Sequence, residues 1–261
     1  MAAPTTNRVD SADRPLRPKR AERPFPLNVY QTAVGKKWVM AVTGIMLLGF
    51  VLFHMLGNLK LYLGVVTHNG APAYDVNIYA EWLRDLLVPF LPRTVTLWLL
   101  RLGLIGAFAL HIHAMYSLSM INLGANQKYA SKRDWNAANA ASRSMRYTGI
   151  VVLAYLVFHL VDLTWGKTGY DYQRGEVYQN VVASMQRPVV AAVYIVANAL
   201  LAVHIFHGAY SMFQSLGISN PAYNRLRKGF AATVAAVILI GNVSFPIAVL
   251  THVIKLSPAI Q

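Results

Sequence analysis

Five stretches of this chain carry apolar side chains on every face of a helical turn instead of along one stripe. They lie at about residues 38–60, 94–121, 147–165, 188–215 and 229–254, separated by short segments that hold nearly all the charge. A helix rises ~1.5 Å per residue, so each stretch can cross a hydrocarbon core of ~30 Å. A soluble helix of the same length would alternate apolar and polar faces with a period of 3.6. The pattern predicts an all-α integral membrane protein with a five-transmembrane-helix bundle over residues 30–261. Ahead of it, residues 1–29 read as a mobile basic arm, rich in Arg and Pro and without apolar periodicity. That arm is not expected to be a cleaved signal, since the first apolar run arrives late, has full membrane length and has no small-residue cleavage site.

Composition changes the picture in two places. The net charge of +14 would suit nucleic acid, but sixteen of the 24 Lys and Arg residues sit before span 1, between spans 2 and 3, or between spans 4 and 5. Those three segments share one side of a five-span bundle. The opposite connectors hold Asp75, Glu81, Asp85, Asp162, Asp171 and Glu176. Positive-inside asymmetry of this kind predicts a cytoplasmic N-terminus and an outer C-terminus. The basic surplus then serves topology and attraction to anionic lipid or an acidic partner, with no nucleic acid implied. The absence of cysteine excludes disulfides, thiolate catalysis and an iron–sulfur cluster ligated by this chain. No dinucleotide fingerprint, Walker loop or nucleophile elbow is present, so any chemistry belongs to a group bound inside the bundle.

Histidine is the residue type that could hold such a group. Six of the eight histidines fall within spans: His54, His111, His113, His159, His204 and His207. Ionisable residues within a membrane are rare and mark function or internal pairing. A single one is more often a structural hydrogen-bonding group, but histidines on four consecutive spans can point inward from facing walls. Counting from the span ends puts His54 and His159 ~5–10 Å from the outer ends, and His111 and His204 ~25 Å from them. Two histidines at matching depth on different helices can ligate one haem iron from both faces. Zinc fits less well, because it gathers three or four close ligands, often with carboxylate or thiolate help. His113 points away from His111 round the helix. His207 lies nearly on the face of His204 and suits a propionate, a water, a quinone or a structural bond.

Four segments now carry a resemblance. "GKKWVMAVTGIMLLGFVLFHMLGNL" (35–59), with its Thr-Gly pair ahead of the histidine, resembles the first span of the two-haem cytochrome b membrane anchor of succinate:quinone oxidoreductases. "LHIHAMYSLSMIN" (110–122), "RSMRYTGIVVLAYLVFHLVDL" (143–163) and "HIFHGAYSMFQSLG" (204–217) resemble the other three ligating spans, in order. The "GKK" and "FQSLG" elements suggest the branch found in actinobacteria and Bacteroidetes. The likeness covers roughly residues 30–255.

The resemblance implies two haem b groups, an outer one on His54 and His159 and an inner one on His111 and His204, the pairing that depth also gives. It further implies a flavoprotein subunit and an iron–sulfur subunit on the cytoplasmic face, menaquinone as electron acceptor, a bacterial cytoplasmic membrane, and a place within a complex that can form higher oligomers. Succinate would be oxidised to fumarate on a partner subunit. Basic residues around Arg20, Lys36, Lys37, Arg143 and Arg146 are expected to dock those partners. One departure stands out. Some menaquinol-oxidising fumarate reductases carry a membrane glutamate two residues before the fourth ligand, and here that position is Ala202.

The quinone and propionate residues are left open. Arg101, Lys60, Asn58 and Asp162 are the outer candidates. Gln31, Trp38, Ser211 and His207 are the inner ones. Arg101 is divided between a propionate and snorkelling outward, and Asp162 between a proton acceptor and an interfacial residue. A fumarate reductase anchor running in reverse has the same wiring. A nitrate reductase or formate dehydrogenase anchor fits the histidine count without the spacing. A transporter with histidine relays would predict internal repeats, broken helices and deep carboxylates; no repeat is read in the sequence.

Overall fold

The computed structural model describes residues 24, 25, 27–129, 135–218 and 220–260. The basic arm up to residue 23 and the connector residues 130–134 lie outside the described residues. A short helix α1 (Leu27–Tyr30) leads into α2 (Ala33–Asn58), whose N-cap Thr32 accepts from Gly35 N at 2.9 Å. A tight turn (Leu59–Leu63) follows, then a hairpin of β1 (Val65–His68) and β2 (Ala71–Tyr74) with Val65 opposite Tyr74. Its two-residue turn is Asn69-Gly70, both with positive φ, as a primed hairpin turn requires. Next come α3 (Asp75–Arg84), α4 (Val95–Tyr129), α5 (Trp135–His159), α6 (Val177–Met185), α7 (Pro188–Ser215, proline in its first turn) and α8 (Asn224–Leu250).

Among the described residues, five helices are long and apolar enough to span a membrane: Ala33–Leu63, Val95–Leu123, Ser144–Thr164, Pro188–Ser215 and Pro221–Leu250. The five-helix expectation therefore stands, with shifted ends. Span 1 starts before residue 38 because Lys36 is buried and its Nζ donates to Gln31 O at 3.0 Å. Span 5 starts before residue 229 because Arg227 is buried in its first turns, its guanidinium 5.0 Å from the Tyr210 ring centroid. It ends before 254, where His252 takes a left-handed φ of 59°. Of the two neighbouring lysines expected to dock partners, Lys36 is buried and Lys37 is exposed. Arg20 lies outside the described residues, and so does the side chain of Arg143.

Large apolar side chains cover the outside of the bundle, among them Phe53, Trp98, Leu99, Ile105, Ile150 and Ile240, each more than half exposed. In water this would be an aggregation hazard; in lipid it is the expected solvent-facing surface.

The tightest packing lies at the hairpin end. Met55, Leu61, Tyr74, Val76, Tyr178, Val182, Met185, Phe245 and Val249 form one buried cluster there. Gly241 of α8 admits Met55, whose Sδ would lie 2.5 Å from an added Cβ. Tyr74 and Tyr178 stack at 3.8 Å, Tyr178 donates to Lys255 O at 3.0 Å, and Ser257 N donates to the Tyr74 hydroxyl at 2.8 Å. Burial, and then neighbouring Tyr74, push the Tyr178 phenol above its usual pKa, so it stays a donor. The connectors, read from sequence as charged links, thus form a packed cap. Tyr178→Phe keeps the stack and loses one hydrogen bond, an expected cost of about 1 kcal/mol. Tyr178→Ala opens the cluster and costs about 3–5 kcal/mol by analogy with aromatic truncations. Thermal unfolding of both variants checks this, and equal losses would show that the stack is not what holds the cap.

Candidate functional site

α4 packs on α2, α5 on α7, and α7 on both α2 and α8. Spans 1 and 3, and spans 2 and 4, therefore face one another diagonally across the bundle. The sequence-predicted histidines lie on those diagonals.

The rings of His54 and His159 stand 6.0 Å apart, centroid to centroid, with planes at 89°. An imidazole nitrogen binds a metal at ~2 Å, so two imidazoles on opposite sides of one ion need centroids ~6 Å apart. His54 retains accessible surface and stacks on Phe50 at 5.3 Å between ring centroids. His111 and His204 are close enough to interact electrostatically.

The buttressing of the second pair is a repeated design. Thr43 Oγ1 lies 3.2 Å from His111 Nδ1, and Thr148 Oγ1 lies 3.2 Å from His204 Nδ1. Each threonine gives its own proton to a backbone carbonyl one turn back, Val39 O or Ser144 O, both at 2.7 Å. Its lone pair is therefore left to accept Nδ1–H, which keeps the other ring nitrogen, Nε2, unprotonated and able to ligate. The next residue is glycine in both cases. A Cβ on Gly44 or Gly149 would sit 3.4 Å from Cε1 of His111 or His204, so a larger side chain would take the imidazole's place.

This arrangement exposes a repeat that the sequence reading missed. "TGIMLLGFVLFH" (43–54) and "TGIVVLAYLVFH" (148–159) agree at six of twelve positions. In each half the Thr-Gly pair receives a histidine of the following span and, eleven residues on, the same helix supplies its own histidine. Eleven residues are ~16 Å of helix, so the two histidine pairs occupy separate levels.

His159 has a different partner. Its Nδ1 lies 3.5 Å from the Tyr194 hydroxyl, at the long limit of a hydrogen bond, and that hydroxyl donates to Asp162 Oδ2 at 2.8 Å. Asp162 is fully buried, which corrects its reading as an interfacial residue. The cause is local: α5 ends in a π-helical turn (Leu160–Thr164), which accompanies the turn of Asp162 into the protein. Ser184 Oγ donates to it at 2.5 Å, Arg187 Nη2 at 3.0 Å, and Thr168 Oγ1 also donates. Tyr170 donates to the Asp162 carbonyl at 2.8 Å. Burial first, and then the Asp162 carboxylate, raise the Tyr170 phenol's pKa, so its proton stays in place. None of Tyr194, Ser184, Thr168 or Arg187 was singled out from sequence, because their polar atoms meet only when three segments fold together.

The remaining candidates scatter. Arg101 is exposed, its guanidinium 5.1 Å from the Trp98 ring centroid, which is the snorkelling arrangement. Lys60 pairs with Asp75 at 2.6 Å and ties span 1 to α3. Asn58 is half-buried at the end of α2. His207 packs edge-on against Phe206, and Ser211 donates to Gly208 O at 3.1 Å. Trp38 is half-exposed. Gln31 holds a buried side-chain amide nitrogen with no protein partner. Beside it Tyr30 meets His113 Nδ1 at 2.6 Å, so His113 has a structural partner of its own. Ala202, where a glutamate would stand, is buried.

Among the described residues, no three His, Asp or Glu side chains gather as a direct metal site. Two pairs of imidazoles, with three Nδ1 atoms engaged by hydroxyls, suit a metal that brings its own equatorial ligands. The residues present therefore fit haem.

Fold and site together define a multi-pass membrane protein whose polar interior is built from paired histidines. Residues 125–243, somewhat under half of the chain, match the family model of the succinate dehydrogenase/fumarate reductase transmembrane subunit. The matched stretch contains His159 and His204 and stops short of spans 1 and 2. No curated protein and no solved structure matches the chain.

Proposed function

We propose that this chain is the membrane anchor and electron conduit of a succinate dehydrogenase. The basic end of the bundle faces the cytoplasm, where a flavoprotein subunit and an iron–sulfur subunit dock. His111 and His204 would hold an inner b haem, and His54 and His159 an outer one. A bound haem supplies a one-electron carrier with a potential set by its ligands and surroundings. The protein's part is to hold the imidazoles on facing walls, present Nε2 as the ligating atom, and keep water out with the packed cap at the hairpin end. The reaction served would be the transfer of electrons from succinate to menaquinone.

The observation that carries this reading is the pair of diagonal histidine pairs at two levels, each anchored by hydroxyl groups. The family match gives independent support for the partners. For the quinone's head group on the cytoplasmic side, Gln31 is the candidate with a donor to spare.

The test is a dithionite-reduced minus oxidised optical spectrum of the purified membrane complex, with haem quantified per polypeptide. Two low-spin b haems per chain are expected. A haem-free spectrum from cells with adequate haem supply would overturn the reading.

A further inference from the structure

Three of the four paired histidines, His111, His204 and His159, have a hydroxyl at Nδ1, but the hydroxyls are not equivalent. Thr43 and Thr148 pass their protons to neutral backbone carbonyls. Tyr194 passes its proton to the Asp162 carboxylate. Asp162 is in turn gripped by Ser184, Thr168 and Arg187, and Arg187 is tied down by its own bonds to Thr168 O at 2.5 Å and Ser184 O at 3.1 Å. A buried carboxylate held by this many donors is fixed in position, with one oxygen turned to Tyr194 and the other to Arg187.

We propose that Asp162 is a positioning residue for His159, acting through the Tyr194 hydroxyl. It fixes the Nδ1–H tautomer and strengthens Nε2 as an electron-pair donor, and so lowers the potential of the haem that His159 would hold. The inference rests on His159 being a haem ligand. The physical chain is short. An acceptor backed by negative charge draws the Nδ1 proton towards itself and leaves more electron density on the imidazole. A stronger donor, and a negative charge nearby, both favour the ferric over the ferrous state. The threonine-buttressed pair receives neither effect. The chain thus builds an asymmetry between two otherwise repeated halves, and it does so with residues that only one half possesses: the position matching Asp162 in the first half is Gly57.

The experiment is an optical redox titration of the purified complex that resolves the two haems, together with low-temperature electron paramagnetic resonance of each. Asp162→Asn removes the charge and Tyr194→Phe removes the bridge. Each is expected to shift the outer haem about tenfold towards its reduced form, about 59 mV for a one-electron couple. The inner haem should move less than twofold. The double variant should shift no further than Asp162→Asn alone, because both act along one path.

Both haems present with unmoved outer potentials in the two variants would overturn the inference. So would equal shifts of both haems, which mean a long-range field and no route through Tyr194. If Asp162→Asn loses the outer haem, Tyr194→Phe decides: a raised outer potential sustains the proposal, while an unmoved one, or loss of that haem as well, reduces the network to a fold-holding role. A wild-type complex without haem would overturn the functional reading, and this inference with it.

Discussion

His204→Ala is expected to lower the haem content of the complex from two per chain to one, leaving the outer haem's spectrum and potential unchanged. The argument is geometric. His204 lies near enough to His111 to interact with it electrostatically, and its Nδ1 rests on Thr148. The outer pair lies about eleven residues further along the helices, ~16 Å away, inside a separately packed region. Removing one imidazole leaves His111 as a lone ligand facing a site shaped for two. His111→Ala should therefore give the same loss, and the double variant no more than either single one, because the two residues act as a unit. His54→Ala and His159→Ala should remove the other haem and spare the inner one. On the proposed function, which places the two centres in series, succinate-dependent quinone reduction is expected to fall by at least tenfold in all four. Parallel losses of both haems in a variant that still assembles would mean that the levels are not independent, against the two-site reading.

Much of this site was legible in the sequence, and the reasons it was legible are physical. Imidazoles inside apolar spans stand out because hydrocarbon tolerates few polar groups. Helical rise then converts residue counts into depth, and depth sorts the four histidines into two pairs, of which the rings of His54 and His159 stand 6.0 Å apart. What could not be read was whatever depended on side chains from several segments meeting. Asp162, at the edge of span 3, looked like an interfacial residue. Its burial depends on a π-helical turn and on Ser184, Thr168 and Arg187 from two other segments. Arg101, two turns inside span 2, could be placed by depth, but its guanidinium's position over Trp98 at the exposed face could not be read from sequence. The cap at the hairpin end was missed because its apolar residues are spread through short, charged connectors with no single period to reveal them. The Thr-Gly repeat was different. It was fully present in the sequence, and its significance depended on seeing a histidine of the following span seated on each pair.

Breaking the Asp162 network from its cationic side should cost the complex about 3 kcal/mol of stability. Arg187→Met keeps the aliphatic stem and removes the guanidinium, leaving a fully buried carboxylate with hydroxyl donors only. Removing one partner of a buried ion pair typically costs ~3–5 kcal/mol. The low end applies here, because Ser184, Thr168 and Tyr194 still donate and the arginine itself is partly exposed. Arg93→Met provides the contrast. Arg93 reaches Asp85 at 2.9 Å and also Glu81, but all three side chains are about half exposed, so its loss should cost less than about 1 kcal/mol. The half-life of the detergent-solubilised complex against heat is the suitable measure, since large membrane assemblies unfold irreversibly. The deciding variant is the double one. If the penalty of Arg187→Met comes from an unpaired buried charge, Asp162→Asn placed on top of it should restore most of the lost half-life, because neither charge then remains to be desolvated. If the penalty comes instead from lost packing of the Arg187 stem against Tyr170, the second substitution will recover nothing, and the ion pair will have been a passenger on an aromatic contact.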